Sequence, residues 1–202
     1  MHTVTCSLDF VSPYAWLAFA RLPQALEGVS YAMRYRPVLL GAVMQHHGHQ
    51  GPAGIPPKHA WVLRQVRWLA HAHGIPLALP AVHPFNPLPL LRLAMACADA
   101  RGHVSRHVAD TLFRHVWQSG GADAADPDRL AALAATLSPL RDPAGPEAKA
   151  LLRANTDAAV AENVFGVPWF DVEGRHTFWG FDSLPMLRAC LAGDPWFDGP
   201  AA

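Results

Sequence analysis

Cysteine is scarce in this sequence, with three residues in 202: Cys6, Cys97 and Cys190. They lie far apart between apolar neighbours, which is typical of buried thiols in a reducing compartment and argues against a disulfide framework. No apolar run approaches the roughly 20 residues that cross a bilayer. The opening MHTVTCSLDF also lacks the basic and apolar segments of a signal peptide. We therefore expect a soluble cytoplasmic protein.

Charged residues are also few, at 16% of the chain, and the 16 basic side chains are balanced by 16 acidic ones. The basic residues are scattered, so the stripe of positive charge that a nucleic-acid binder needs is missing. The chain is 51% hydrophobic, which is enough for one compact domain with a large core. These features predict a single domain whose partners are small molecules.

The start of the chain has the pattern of a strand, a helix and a second strand. Residues 2–10 are rich in apolar and β-branched residues and predict a buried strand. A helix should begin at Pro13, because Ser12 is a good N-cap residue and proline is favoured in the first turn. Residues 30–40 predict the next strand, which completes a βαβ unit.

The middle of the chain changes character. Residues 41–58 are rich in Gly, Pro and His, show little periodicity, and predict a long loop. Apolar residues at helical spacing then predict five helices, at residues 58–73, 87–101, 104–119, 127–136 and 146–163. Together these segments predict an all-helical insertion.

The strand pattern returns near the end. Residues 166–180 predict two short strands around a turn at Glu173 and Gly174, and residues 183–193 predict a closing helix. The order βαβ, helical insertion, ββα predicts an α/β protein with a thioredoxin-like fold. Its two halves would be residues 1–40 and 165–202, with the insertion at 41–164.

The stretch FVSPYAW, residues 10–16, places Ser-Pro-x-Ala at a helix start where many small redox proteins carry Cys-Pro-x-Cys. A group there faces unsatisfied backbone N–H groups and the positive end of the helix dipole, so an anion is stabilised. With Ser12 and Ala15 in place of two sulfurs, the chain cannot make or exchange a disulfide at this point. The Ser12 hydroxyl can hold a thiolate supplied from outside, or it can serve only as the helix cap.

Five motifs along the chain carry a family resemblance. LDFVSPYAWLA, PVLLGAVM, PPK, HPFNPLPLLRLA and GVPWFDVEGRHTFWGFDSL follow one another in the order found in 2-hydroxychromene-2-carboxylate isomerases. More broadly, the chain resembles kappa-class glutathione transferases and their DsbA-like relatives. The resemblance implies a DsbA-like fold and a glutathione-dependent isomerase acting in aromatic compound degradation. In that family a thiol adds transiently to the substrate, the ring opens and a bond rotates from cis to trans, and homodimers are common.

The resemblance also assigns roles at the predicted helix start and at a proline near the end of the chain. It implies that Ser12 holds the thiolate of glutathione. It further implies that Pro168 is a cis-proline and that the backbone of Val167 pairs with the peptide part of the cofactor. The plainer alternatives are a helix cap at Ser12 and an ordinary edge-strand proline at Pro168.

Three more residues would bind the charged ends of glutathione if the resemblance holds. Asp182 and Ser183, in the motif GFDSL, would hold the γ-glutamyl end, and their alternative role is another helix cap. Lys58 is one of only two lysines in the chain. It would contact a carboxylate of glutathione or of the substrate, as a point cation can, although many lysines are simply exposed surface residues.

The substrate side of the site is assigned to Asn86, His49 and Tyr14. Asn86 matches an asparagine that lines the site in these isomerases, although it is also explained as a helix cap. His49 stands where relatives usually have an asparagine, and Tyr14 is one of the aromatic residues that could wall the pocket. Trp61 and Gln65 stand where relatives often have a tyrosine and an aspartate after the lysine. These changes leave the identity of the substrate open.

Twelve histidines raise the question of a metal site, above all in HHGH at residues 46–49. No cysteine pair lies nearby and no carboxylate interleaves with the loop histidines, so we expect no metal. A loop histidine such as His49 could instead titrate near neutrality and act as an acid or a base.

Two other functions remain open from the sequence. A kappa-like glutathione transferase would use the same site to conjugate electrophiles. A DsbA-like scaffold without its cysteines could bind thiols or peptides and catalyse nothing, although such a module would not need Lys58 or Asp182. A disulfide oxidoreductase is disfavoured by Ala15.

Overall fold

The computed structural model describes residues 1–199 and contains one mixed sheet. Its strands are β1 (His2–Leu8), β2 (Tyr31–Pro37), β3 (Trp169–Val172) and β4 (His176–Trp179), in the order β2-β1-β3-β4. β1 runs parallel to β2 and antiparallel to β3, and β3 pairs with β4 as an antiparallel hairpin. The first and last parts of the chain therefore meet in a single sheet, as the α/β prediction requires.

Residues 1–199 also form eight α-helices. These are α1 (Pro13–Ala25), α2 (Leu40–His46), α3 (Pro56–Ala72), α4 (Leu88–Ala96), α5 (Arg106–Trp117), α6 (Pro127–Leu137), α7 (Pro146–Ala161) and α8 (Leu184–Leu191). Short 3-10 turns occur at Pro52–Gly54, Phe181–Ser183 and Pro195–Asp198. Helices α2 to α7 lie between β2 and β3, and α3 to α7 correspond to the five predicted helices. None of the helices in the described part is long and apolar enough to cross a bilayer.

The helix α1 begins at Pro13, as predicted, and it is anchored by a large apolar face. Trp16, Phe19 and Leu22 on this face are at most 2% exposed. The rings of Trp16 and Phe19 both pack against Phe113 of α5, with centroids 5.9 and 5.1 Å away. Aromatic pairs of this kind add packing energy to the hydrophobic burial, so the start of α1 is held firmly.

The predicted loop at residues 41–58 is wrong in part, because it contains α2 and the 3-10 turn Pro52–Gly54. Two tertiary contacts explain the helix. The Asp9 carboxylate accepts a hydrogen bond from the first helical N–H, that of Leu40, at 2.9 Å, and Val43 is fully buried. A cap supplied by a side chain 31 residues away leaves no local sequence signal.

Several predicted boundaries are also too wide, most of all in the predicted helix 87–101, which ends at Ala96. The chain turns away there because the Asp99 carboxylate accepts hydrogen bonds from the N–H groups of Arg101 and His103, both at 2.9 Å. Val104 then bonds to the Tyr35 carbonyl of β2 at 2.9 Å. Side-chain bonds to nearby backbone groups compete with helix continuation in this way.

The hairpin between β3 and β4 confirms the predicted turn. Glu173 and Gly174 both have positive φ, at 57° and 69°, as a tight turn matched to the twist of its strands requires. The Asp171 carboxylate accepts a hydrogen bond from the Gly174 N–H at 2.8 Å. This hairpin fixes the position of the chain that enters β3, which includes Pro168.

The end of the helical region is bound to the sheet by a nearly buried arginine. Arg36 of β2 is 6% exposed and donates hydrogen bonds to the Ser7 hydroxyl and to both oxygens of Glu162, at 2.6–3.1 Å. The buried amide of Asn155 in α7 donates to the carbonyls of Pro37 and Gly102, at 3.1 and 2.8 Å. These bonds satisfy polar groups that would otherwise be costly to bury.

Candidate active site

Ser12 lies at the N-terminus of α1 and is only 6% exposed. Its Oγ accepts a hydrogen bond from the Ala15 N–H at 3.3 Å, so the cap that the sequence suggests is present. The hydroxyl donates its hydrogen to the Val167 carbonyl at 3.4 Å, which is long for an O–H donor. This hydrogen bond is therefore weak. The hydroxyl could donate to a stronger acceptor instead while it still accepts from the Ala15 N–H.

The segment that faces Ser12 is Val167–Pro168, and the peptide bond between these residues is cis. Val167 is 6% exposed, and in the described part of the chain no acceptor lies within hydrogen-bonding distance of its N–H. The next carbonyl, that of Pro168, accepts from the Gly180 N–H at 3.0 Å. The Val167 N–H is therefore left to pair with a ligand or with water.

Tyr14 lies in the first turn of α1, and its hydroxyl donates to Oε1 of Gln65 in α3 at 2.6 Å. Burial, followed by the negative charge of Asp182, raises the pKa of Tyr14, so the phenol stays protonated at neutral pH. The Gln65 side chain acts here as the acceptor.

Asp182 and Ser183 lie in the 3-10 turn that precedes α8. The Asp182 side chain is exposed, and its carboxylate lies over Gly180, where a Cβ would come within 2.6 Å of Oδ1. Gly180 has φ of +92°, a backbone conformation that favours glycine. The Ser183 hydroxyl donates to the Gly180 carbonyl at 2.9 Å and forms no cap bond to α8.

The other three predicted residues, Lys58, His49 and Asn86, form no hydrogen bond to Ser12 in the described part of the chain. Lys58 is exposed in the first turn of α3. The ring of His49 is bonded through Nε2 to the carbonyl of Phe165 at 3.2 Å, two residues before Val167. Asn86 is exposed, and its Oδ1 accepts from the Leu88 N–H at 3.1 Å, so it stabilises the start of α4.

The chain's own thiols lie away from the helix start. Cys6 is buried in β1, whereas Cys97 and Cys190 are half-buried, and all three are unpaired. Burial raises the pKa of Cys6 to about 12 and also raises the pKa of Cys97 and of Cys190. Protonated thiols are poor nucleophiles, so a reactive sulfur at Ser12 would have to come from another molecule.

Two features at the site carry no recognisable signal in the sequence. Asp9 follows β1, is fully buried, and its backbone carbonyl accepts from the Ser12 N–H at 3.1 Å. His59 and His83, 24 residues apart, form a hydrogen-bonded pair that ends on the Val11 carbonyl. Neither spacing matches a known pattern, because the fold rather than the local sequence brings these groups together.

Comparison with known proteins agrees with this fold. The family model of the DSBA-like thioredoxin domain matches residues 3–192. Human glutathione S-transferase kappa 1 is 28% identical, over 98% of this chain and 94% of the human protein. The 2-hydroxychromene-2-carboxylate isomerase of Pseudomonas putida is 29% identical, over 91% of each chain. A solved structure of 2-hydroxychromene-2-carboxylate isomerase has a TM-score of 0.79 at 24% identity and covers 94% of each chain.

The chain belongs to the DSBA-like thioredoxin domain family. The predicted thioredoxin-like fold with inserted helices is thus confirmed, as is the resemblance to the isomerase and kappa transferase group.

Proposed function

We propose that this protein is a glutathione-dependent isomerase of 2-hydroxychromene-2-carboxylate and similar aromatic substrates. The observation that carries the proposal is the Ser12 hydroxyl at the N-terminus of α1, with its hydrogen directed at the Val167 carbonyl. This arrangement offers a hydrogen bond and the positive helix end to one anionic sulfur, and no sulfur of the chain lies there.

The residues around Ser12 fit the chemical groups of glutathione. The Val167 N–H lacks an acceptor among residues 1–199 and its carbonyl has only a long bond, so both can pair with a peptide backbone. Asp182 offers an exposed carboxylate for an ammonium group, and Ser183 stands beside it. Lys58 is an exposed cation that suits a carboxylate of the cofactor or of the substrate.

Glutathione, when bound, would supply the thiol that adds to a conjugated substrate and leaves unchanged. The protein's task is to hold the sulfur as thiolate and to orient the substrate. Ser12 contributes its hydrogen bond in a nearly dry environment, where such a bond is stronger than in water. Tyr14, His49 and Asn86 are proposed to line the substrate side.

The function is tested by product analysis with 2-hydroxychromene-2-carboxylate. We expect the purified protein to interconvert this acid and its trans ring-opened isomer only when reduced glutathione is added, and glutathione should be recovered unchanged. A stable conjugate would favour a kappa-like transferase, which the human relative makes the second candidate. No glutathione-dependent reaction of either kind would contradict the proposal.

The resemblance to these enzymes also supports three further parts of the proposal: a homodimer, a cytoplasmic location and a role in the breakdown of aromatic compounds. The first is checked by light scattering of the purified protein, where a mass near twice 21.9 kDa is expected. A mass near 21.9 kDa at micromolar concentration would contradict it.

Asp182→Asn tests the proposed contact with the cofactor's ammonium group. The charge-assisted bond should become a weaker neutral one, so the Kd for glutathione should rise about tenfold. Isothermal calorimetry measures this directly. Asp128→Asn, at an exposed aspartate in the first turn of α6, is the matched control and should leave the Kd unchanged. An unaltered Kd for Asp182→Asn would exclude that contact.

A further inference from the structure

The two sides of the proposed thiol site come from distant parts of the chain, Ser12 near one end and Val167 near the other. The hydrogen bond between their hydroxyl and carbonyl groups is long, at 3.4 Å. The last paired residues of β1 and β3 are Ser7 and Trp169, so both segments lie beyond the sheet. Contacts other than the strand pairing must therefore hold them together, and helix α2 provides such contacts to both.

At the start of α2 the contact is made by Asp9, in the turn that leads to Ser12. The Asp9 carboxylate accepts from the Leu40 N–H of α2 at 2.9 Å and from the Val11 N–H at 3.1 Å, one bond to each oxygen. Its backbone carbonyl accepts from the Ser12 N–H at 3.1 Å. One fully buried residue thus binds both the turn of Ser12 and the first N–H of α2.

At the other end of α2 the contact is made by two histidine rings. Nε2 of His47 lies 2.9 Å from the carbonyl oxygen of Val164, and Nε2 of His49 lies 3.2 Å from that of Phe165. A carbonyl oxygen can only accept, so each Nε2 carries the hydrogen, whether the ring is neutral or protonated. The two carbonyls lie three and two residues before Val167, so these rings hold the chain that enters the cis peptide bond.

α2 and the turn after it form one unit. Val43 of α2 is fully buried, which fixes the helix against the core. The backbone N–H groups of His47, Gly48 and His49 all donate to carbonyls of α2, at 3.1–3.3 Å. The helix therefore moves together with both rings, and it determines how far the bond made by Asp9 lies from the bond made by His47.

We propose that α2 sets the separation of Ser12 from Val167, with Asp9 and His47 as positioning residues that act through it. The inference rests on the proposed function, because it concerns the site for the thiol. Asp9 fixes the turn that carries the Ser12 hydroxyl, whereas His47 fixes the backbone that pairs with the peptide. The two residues should therefore affect different properties: Asp9 the stabilisation of the sulfur, and His47 the affinity for the peptide part of glutathione.

His47→Phe tests the second of these roles, because it keeps an aromatic ring but removes the donor. The Kd for reduced glutathione and for S-methylglutathione should rise about fivefold, as loss of one hydrogen bond does, with kcat nearly unchanged. Isothermal calorimetry and steady-state kinetics measure the two quantities. His47→Gln keeps an N–H donor and should restore the parent's Kd. His71→Phe, at an exposed histidine of α3, is the matched control and should bind as the parent does.

Asp9→Asn tests the first role. The amide oxygen can accept from only one of the N–H groups of Val11 and Leu40, so the turn of Ser12 is no longer tied to α2. A misplaced hydroxyl should lower kcat about tenfold and raise the pKa of the bound thiol, with the Kd for S-methylglutathione nearly unchanged. The thiol pKa is read from thiolate absorbance near 240 nm at several pH values. Loss of a negative charge alone would lower that pKa, so a rise identifies positioning.

Two controls complete the comparison. The other ionisable groups proposed for the site, Lys58, Tyr14 and Asp182, are the same in every protein compared, so their effect on the thiol pKa cancels. Ser105→Ala removes the cap of α5 and should leave the thiol pKa and both Kd values unchanged, which separates positioning from a general loss of stability.

The outcomes separate this inference from the proposed function. If the parent binds neither reduced glutathione nor S-methylglutathione, the proposed function is overturned, and the inference with it. If the parent binds both, an unchanged Kd in His47→Phe would overturn the role of α2 and leave the cofactor in place. A thiol pKa that is unchanged or lowered in Asp9→Asn would do the same.

Discussion

Replacing Ser12 with alanine is expected to lower kcat for the isomerisation about a hundredfold and to leave the binding of S-methylglutathione nearly unchanged. The reason is that the hydroxyl hydrogen, now held by the Val167 carbonyl at 3.4 Å, would stabilise the sulfur only as it becomes anionic. Loss of one such donor typically costs a factor of 10² to 10³. The helix N-terminus remains in the variant and accounts for the residual rate.

The variant also loses a helix cap, so a matched control is needed. Removing the bond from Ser12 to the Ala15 N–H should cost about 1 kcal/mol and lower the Tm by roughly 2–4 °C. Ser105 caps α5 in the same way, through the Val108 N–H at 3.2 Å. Ser105→Ala should show a similar loss of stability with full activity. Equal loss of activity in both variants would mean that Ser12 is only a cap.

The second large effect concerns Asp9, whose burial raises the pKa of its carboxyl to about 7. In the unfolded chain an aspartate titrates near 3.9. Below that pH the carboxyl is protonated in both states and stability is complete. As the pH rises from about 4 to about 7, the unfolded chain releases the proton and the folded chain does not, so Asp9 should remove about 4 kcal/mol of stability.

The measurement is the free energy of unfolding by urea at several pH values between 4 and 8, for the parent and for Asp9→Asn. The amide can accept from only one of the N–H groups of Val11 and Leu40, so the variant should be less stable at pH 4 by about 1–2 kcal/mol. The difference in the free energy of unfolding between the variant and the parent should shrink and then reverse in sign as the pH approaches 7. Parallel curves would contradict the raised pKa.

Histidines titrate in the same pH range, but they do not affect the comparison of the parent with Asp9→Asn. Burial lowers the pKa of His83, His103 and His115, so their contribution to stability is lost as the pH falls, which is opposite in sign to that of Asp9. Because the parent and the variant share these histidines, the difference between the two curves isolates Asp9.

Local chemistry explains what could be predicted from the sequence. Ser12 and Pro13 mark the start of α1 because a cap and a first-turn proline act within four residues. Glu173 and Gly174 mark the hairpin because the turn needs positive φ at both positions. The strand and helix periodicities also gave the order of the elements, and the resemblance supplied the residues to look for at the site.

The missed features depend on contacts between distant parts of the chain. α2 is capped by Asp9, and the hydrogen-bonded pair of His59 and His83 forms only because the fold places these residues together. The alternative role of Ser183 as a helix cap is wrong for a local reason: its hydroxyl bonds to the carbonyl of Gly180, three residues earlier, rather than to α8. Lys58 and Asn86 were assigned by resemblance, and their ligand contacts remain proposals.

The central claim is that Ser12 and Val167 form a site for glutathione, and thermal unfolding with and without reduced glutathione tests it most directly. At ten times its Kd the ligand adds about 1.4 kcal/mol, so the Tm should rise by roughly 3–6 °C. S-methylglutathione should give a similar rise, and Asp182→Asn should need more glutathione for the same rise. An unchanged Tm at several millimolar glutathione would contradict the account.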